Sequence, residues 1–296
     1  MSAALEDSII LTTRGKIAII TLNLEKKLNA LSQELYYRLS CLMREIAARD
    51  DIYITLLTGK GRYFSAYTDP QSVPPSFDAY CRLLTLTNSG VDLQISRSQP
   101  TDTDVRKHTL QGFVVNNLEI TNAFYTHPKI LITALNGPAI GLSAALIALS
   151  DFIYAMPHAF LLTPFTSLGL VAEGGSSRAF VQRLGISKAN EALIMSKRIT
   201  AEEMLHVGFI NKIFDLGKDE QNKFLEEVLK YIDERLGDHL NSDSLLKVKA
   251  LIRKPERDIM AVQSAAEVFE GLERFAAGIP QEEFRKLASG EKRHKM

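Results

Sequence analysis

The chain has 296 residues, 46% of them hydrophobic, with 35 basic and 35 acidic side chains. That is enough apolar material for one large domain, or for one domain with a helical appendage. Zero net charge excludes a global field that would draw the chain to nucleic acid or to an anionic membrane. An anionic ligand must therefore be held by local Lys and Arg or by backbone donors. Met1 to Ser8 carries Glu6 and Asp7 and has no basic stretch followed by an apolar one, so no secretory signal is expected. The two cysteines, Cys41 and Cys81, form no CxxC pair and are expected as reduced structural thiols.

In chain order, Ser8 to Arg14 and Lys16 to Leu22 read as two strands turning at Arg14-Gly15. Ser32 can cap a helix over Gln33 to Arg49, where Leu35, Leu39, Leu42, Met43 and Ile46 share one face. Ile52 to Thr58 is the next strand, followed by a Gly59-Lys60-Gly61-Arg62 turn. Pro70 to Lys107 is a polar insert with Pro74-Pro75 and Asn88-Ser89-Gly90, read as a loop with some helix in it. Gln111 to Thr126 has helical spacing.

Ile130 to Leu135 is a buried strand, Asn136-Gly137-Pro138 a turn, and Ala144 to Leu149 a buried helix. Phe152 to Ala155 is another strand. The stretch Ile130 to Ser150 is uncharged and long enough to tempt a membrane assignment. The turn residues break it, so no membrane span is expected. Past residue 175, short helices are expected over Arg178 to Leu184 and Lys188 to Met195, separated by Gly185. Thr200 to Glu203 is a capping box, and Gly208 to Phe214 reads as a strand. Glu220 to Leu236, Ser244 to Arg253 and Asp258 to Ala277 read as amphipathic helices.

Strand, Gly-containing turn and helix leave free N–H groups at the helix start, near Gly141 and Leu142. Such donors can face a developing anion. About thirty residues on stands a single carboxylate, Glu173, after the apolar Leu168-Gly169-Leu170-Val171-Ala172 and before Gly174-Gly175. Those flanks imply burial, which raises a carboxylate's proton affinity and makes it a useful base. One base beside oxyanion donors is what proton abstraction next to a carbonyl requires. No His, Cys, Asp or Glu spacing calls for a metal.

The segments Asn136 to Leu146, Ser150 to Tyr154 and Leu168 to Gly175 resemble the crotonase (enoyl-CoA hydratase/isomerase) superfamily, closest to its fungal peroxisomal Δ3,Δ2-enoyl-CoA isomerases. The resemblance implies an α/β crotonase fold, a spiral of repeated β-β-α units with a C-terminal helical trimerisation region. Residues 1–215 would form the spiral core with the acyl-CoA site, and 216–296 a helical region for assembly into a trimer or hexamer. It implies Glu173 as the acid/base, the backbone N–H groups of Leu142 and Thr68 as the oxyanion hole, and Asn117 as a polar neighbour of the base. Ser65, Ala66, Tyr67, Thr68, Asp69, Gly141, Leu142 and Phe165 would border the substrate. Arg285 or Lys286 would reach the CoA phosphates. No separate cofactor is expected, because coenzyme A is part of the substrate.

Family members often carry Phe-Ser-x-Gly-Ala-Asp where this chain has Tyr67 and Thr68 in place of Gly and Ala. By position, Ala145 and Phe165 stand where a hydratase keeps its two glutamates, so hydration has no evident base pair. The implied activity is conversion of 3-enoyl-CoA to 2-trans-enoyl-CoA by a 1,3-proton shift in β-oxidation. A hydratase, a dienoyl-CoA isomerase and a non-catalytic oligomer of the same fold are the alternatives. His294-Lys295-Met296 resembles a variant of the Ser-Lys-Leu address, which implies an import receptor and the peroxisomal matrix.

Overall fold

The computed structural model describes residues 3–66 and 104–292, the side chains of 3–5 and of Ala288 excepted. The expected insert falls largely outside that range. So do Tyr67, Thr68, Asp69, Cys81 and the His294-Lys295-Met296 tail.

Six strands form the main sheet: β1 Ile9–Arg14, β2 Ile17–Leu22, β3 Ile54–Gly59, β4 Ile130–Leu135, β6 Phe152–Ala155 and β9 Lys212–Ile213. They lie in the order β1-β2-β3-β4-β6-β9. β1 and β2 form an antiparallel hairpin, and the other pairs are parallel. A parallel sheet is covered on both faces, so its strands are apolar throughout. Alternation then sends successive side chains to different cores. Ala18, Ile20, Leu131 and Leu135 join one cluster, and Ile17, Ile19, Ile130 and Ile132 the other. A smaller sheet holds β5 Ala139–Ile140, β7 Phe160–Leu162 and β8 Ile199–Thr200 in the order β5-β7-β8.

Helices cover these sheets. After α1 Ala3–Ser8, α2 Gln33–Ala47 turns all five of its expected apolar residues inward, with the Ser32 hydroxyl accepting from Leu35 N–H. α3 Val105–Thr109 runs through a π-helical turn, Leu110–Val114, into α4 Val115–Tyr125. α5 is Leu142–Ile147 and α6 is Ser176–Leu193, broken at Gly185 as expected. α7 Ala201–His206 starts at the Thr200 capping box. Four more helices follow: α8 Gln221–Leu236, α9 Ser242–Arg253, α10 Arg257–Ala276 and α11 Ile279–Ser289. α8 seals one sheet face with Phe224, Val228 and Ile232.

Three differences from the sequence reading stand out. Gly208 to Phe214 yields only a two-residue strand, Lys212–Ile213. Ala3–Ser8 is helical. The basic stretch from Phe284 begins as part of α11, because Phe284 and Leu287 bury against Phe165 and Leu168. Among the described residues, no helix is long and apolar enough to cross a membrane.

One ionic knot ties α9 to the sheet. Asp151, at the entry to β6, accepts from Leu131 N–H at 2.8 Å and lies 2.7 Å from Lys249 Nζ and 2.8 Å from Arg253. Burial pushes its carboxyl up, but Lys249 and Arg253 outweigh that and hold it below its ordinary value. A depressed carboxylate stabilises the fold above its unfolded value of about 3.9 and loses that contribution as pH falls through the lower folded value. Asp151→Asn should cost about 3–5 kcal/mol by leaving Lys249 buried without its partner. Urea denaturation at pH 7 measures this. A midpoint equal to that of the wild type would mean that the knot adds nothing.

Candidate active site

Two segments far apart in sequence are laid side by side at the mouth of the small sheet. Phe64-Ser65-Ala66 runs along Pro138-Ala139-Ile140: Phe64 N–H donates to Pro138 O at 3.1 Å, and Ile140 N–H donates to Ser65 O at 2.9 Å. Two asparagines fix the approach. Asn136 accepts from Gly59 N–H and donates to Gly61 O and Tyr63 O, while Asn29 donates to Lys60 O and Tyr63 O. The chain then turns at Gly141, whose φ is +70°, into α5. Leu142 is the first residue of that helix, where an N–H has no acceptor within the helix. It is one of the two donors the sequence implies. Thr68, the other, lies outside the described residues, as do Tyr67 and Asp69.

Glu173 reaches this helix through a turn that only glycine permits. Gly174 and Gly175 have φ of +68° and +74°. A Cβ on Gly174 would come within 2.8 Å of Leu142 Cδ1 and 2.9 Å of Ala145 Cβ, and one on Gly175 within 2.7 Å of Met260 Sδ. The turn is thus wedged between α5 and α10. Glu173 is 9% exposed, and its Oε2 accepts from Asn117 Nδ2 at 2.7 Å. Asn117 follows the π-helical turn and is buried, with Thr121 Oγ1 donating to its carbonyl. Burial first, and then the Glu267 carboxylate, push Glu173 up to about 8, against the pull of Asn117.

Two further groups escaped the sequence reading. Tyr36 OH lies 2.9 Å from Ser143 Oγ, which lies 2.9 Å from Ser65 Oγ, and Ser65 donates to Asn29 O at 2.8 Å. Because the Ser65 proton is used on a carbonyl, the chain runs Tyr36 to Ser143 to Ser65. Burial raises the Tyr36 phenol, so it keeps its proton. The second group is Glu267 on α10, whose carboxylate accepts from Gly175 N–H at 2.7 Å, from Ser177 N–H at 2.8 Å and from Ser177 Oγ at 2.5 Å. Its only signal in the sequence was a carboxylate on the stripe Met260, Ser264, Val268 and Leu272, all of which are buried. The expectation of one lone carboxylate here is therefore corrected: two are buried together.

The remaining expected site residues are placed as follows. Ser65 and Ala66 are buried, with the Ser65 hydroxyl committed to the chain above and Ala66 N–H to Leu28 O. Phe165 is 1% exposed and packs with Ile140, Leu168, Phe275 and Phe284. Ala145 is fully buried. Lys286 is paired with Glu283 at 2.9 Å, and Arg285 with Glu282 and Glu291. Among the described residues, no group of His, Cys, Asp or Glu could hold a metal.

A family model described as enoyl-CoA hydratase/isomerase matches residues 89–284. A Delta(3,5)-Delta(2,4)-dienoyl-CoA isomerase of Pyricularia oryzae is 55% identical over 96% of this chain and 97% of its own. A 3,2-trans-enoyl-CoA isomerase of Saccharomyces cerevisiae is 33% identical over 95% of this chain and 94% of its own. The crystal structure of an enoyl-CoA hydratase/isomerase from Pseudoalteromonas atlantica T6c superposes with a TM-score of 0.75 at 23% identity. That match covers 98% of this chain and 99% of the other, and it shows the crotonase fold. The chain belongs to the enoyl-CoA hydratase/isomerase family, and the two relatives described from Pyricularia and Saccharomyces are both enoyl-CoA isomerases.

Proposed function

We propose that this chain moves the double bond of 3-enoyl-CoA to the 2-trans position by a proton shift carried on Glu173. The observation that supports it most is the buried Glu173 carboxylate, oriented by Asn117 and carried on a turn whose Gly174 packs against the start of α5. Glu173 takes a C2 proton and becomes a neutral acid. The electron pair spreads into a dienolate whose thioester oxygen faces the Leu142 N–H, with Thr68 as the second donor. The same proton then goes back at C4. Losing one such donor typically costs roughly 10²–10³ in rate. Ala145 and Phe165 offer no second group to hold a water, which speaks against hydration.

The Pyricularia relative favours a second reading, isomerisation of 3,5-dienoyl-CoA, in which the proton must travel two carbons further. Both oxygens of Glu267 are taken by Gly175 and Ser177, which leaves Glu173 alone to carry a proton; one carrier serves a 1,3-shift more directly than a longer one, so we place the 3-enoyl substrate first. Purified protein assayed with 3-hexenoyl-CoA and with a 3,5-dienoyl-CoA separates the two readings. A kcat/KM higher on the dienoyl ester would reverse the order, and activity on neither would remove both.

Glu173→Gln keeps the shape but removes the base. Turnover should fall by roughly 10²–10⁴ or more, with acyl-CoA affinity little changed. Because the base must be ionised, wild-type kcat/KM should rise with pH through about 8. A loss below about tenfold, well short of the general-base range, would show that Glu173 is not the base.

The same reading includes assembly and location. Val248, Leu251, Ile252, Ile259 and Val262 on α9 and α10 are exposed, Leu251 by 71% and Val262 by 72%. An apolar run of this kind supports a trimer or its multiple. Light scattering at micromolar concentration should return three or six copies, and a monomer would contradict it. For the peroxisomal address, a fluorescent fusion carrying His294-Lys295-Met296 should enter peroxisomes and stay cytosolic without it. Import that persists after the deletion would reject that tripeptide as the signal.

A further inference from the structure

Glu267 stands on α10, 94 positions after the base in sequence, yet its contacts all fall on the turn that carries the base. Its Oε2 takes the Gly175 N–H, and its Oε1 takes both the N–H and the hydroxyl of Ser177. Gln263 Nε2 donates to the same Ser177 hydroxyl at 2.8 Å, which leaves the hydroxyl proton for Glu267. Burial raises the Glu267 carboxyl, and its bonds from Ser177 and Gly175 pull the other way; with both oxygens taken as acceptors, those bonds favour the ionised form. The start of the eighteen-residue α6 favours that negative charge. The turn is closed from the other side by its own bonds, since Ser176 Oγ donates to Glu173 O at 2.7 Å.

We propose that Glu267 is a positioning residue of the isomerase site. It clamps the Gly174-Gly175 turn that aims Glu173, and it lays a fixed negative charge beside the base, so that Glu173 holds the abstracted proton until it is handed back. The inference rests on the isomerase reading above. A neighbouring anion opposes ionisation of Glu173, in the direction already noted for that group. The two carboxyls then titrate as a coupled pair. Among the described residues, the titratable groups packed around Glu173 are Glu267 on α10 and Tyr36 on α2. Asn117 on α4 is neutral and donates. Among the described residues, no cation acts on Glu173, and the one charge that does is that of Glu267.

The chemistry balances within one substrate. The C2–H bond breaks as the Glu173 O–H forms. That O–H breaks as the C4–H forms, and no oxidant or co-reactant enters. Glu267 neither gains nor loses a proton in this cycle. Its effect is on how tightly Glu173 binds one.

The test is the pH dependence of kcat/KM for Glu267→Gln and Glu267→Asp beside the wild type, with folding checked by circular dichroism. Glu267→Gln removes the charge, so the acid limb should move to lower pH by about one unit, the scale of a neighbouring charge. The ratio of variant to wild-type kcat/KM should then be about tenfold higher well below the limb than above it, whatever the turnover on the plateau. A purely structural defect would lower kcat/KM equally at every pH. Glu267→Asp keeps the charge on a shorter arm. Its limb should stay near that of the wild type while kcat falls, because the clamp on Gly175 and Ser177 is loosened.

A folded Glu267→Gln with the wild-type limb overturns the proposal. Should that variant not fold, a Glu267→Asp variant with wild-type kcat and limb overturns it equally. Wild-type protein inactive on both CoA esters removes the isomerase reading and this inference with it. Active wild type, a dead Glu173→Gln and an unmoved Glu267→Gln limb would remove this inference alone.

Discussion

The site depends on one close approach, that of Gly174 to Leu142 and Ala145. It brings the turn that carries Glu173 against the first turn of α5, where backbone N–H groups have no partner within the helix. Nothing with a side chain could stand at 174. The φ of +68° and the short distances to Leu142 and Ala145 both forbid it. The rest of the architecture supports this contact. The parallel sheet carries β4 to the Asn136-Gly137-Pro138 turn, β5 locks onto β7, and α10 backs the turn with Met260 and Glu267.

The sheet could be read from sequence because parallel strands buried on both faces show as unbroken apolar runs, as in Ile130–Leu135. α2 could be read because its apolar residues keep helical period behind a Ser cap. Gly208 to Phe214 could not. Its residues serve two purposes: Phe209 and Ile210 fill the core beside α7, while Lys212 and Ile213 lie in register with β6, held there by the Asn211 and Phe214 N–H groups. Composition alone does not separate a core-filling loop from a strand. The helix that carries Phe284 went unread for a different reason. Its Lys and Arg pair with Glu282, Glu283 and Glu291, while Phe284 and Leu287 sit at helical spacing on the buried side.

Of the site itself, the sequence revealed what is contiguous and hid what is brought in from afar. Glu173 between an apolar run and two glycines announces itself. Tyr36 and Glu267 do not. Each sits on an amphipathic helix whose polar residues are mostly solvated, and only the packing of that helix decides which of them turns inward. Asn117 lies between these cases. The family resemblance pointed to it, and the structure supplies its partner, the Glu173 carboxylate.

The two neighbours of Glu173 pull in opposite directions, and the proposed single-base mechanism has a use for both. Burial and the Glu267 charge strengthen the base but leave less of it ionised. Pushed up to about 8, Glu173 is mostly protonated at neutral pH. Asn117 donates to the ionised form and limits that loss. A stronger base lowers the barrier to removing a C2 proton, whereas returning the proton at C4 demands an acid that is not too weak. A group that must do both in one turnover works best near the pH at which it operates. Burial and the Glu267 charge raise Glu173, and the Asn117 amide limits the rise. The amide of Asn117 against the carboxylate of Glu267 holds the balance between them.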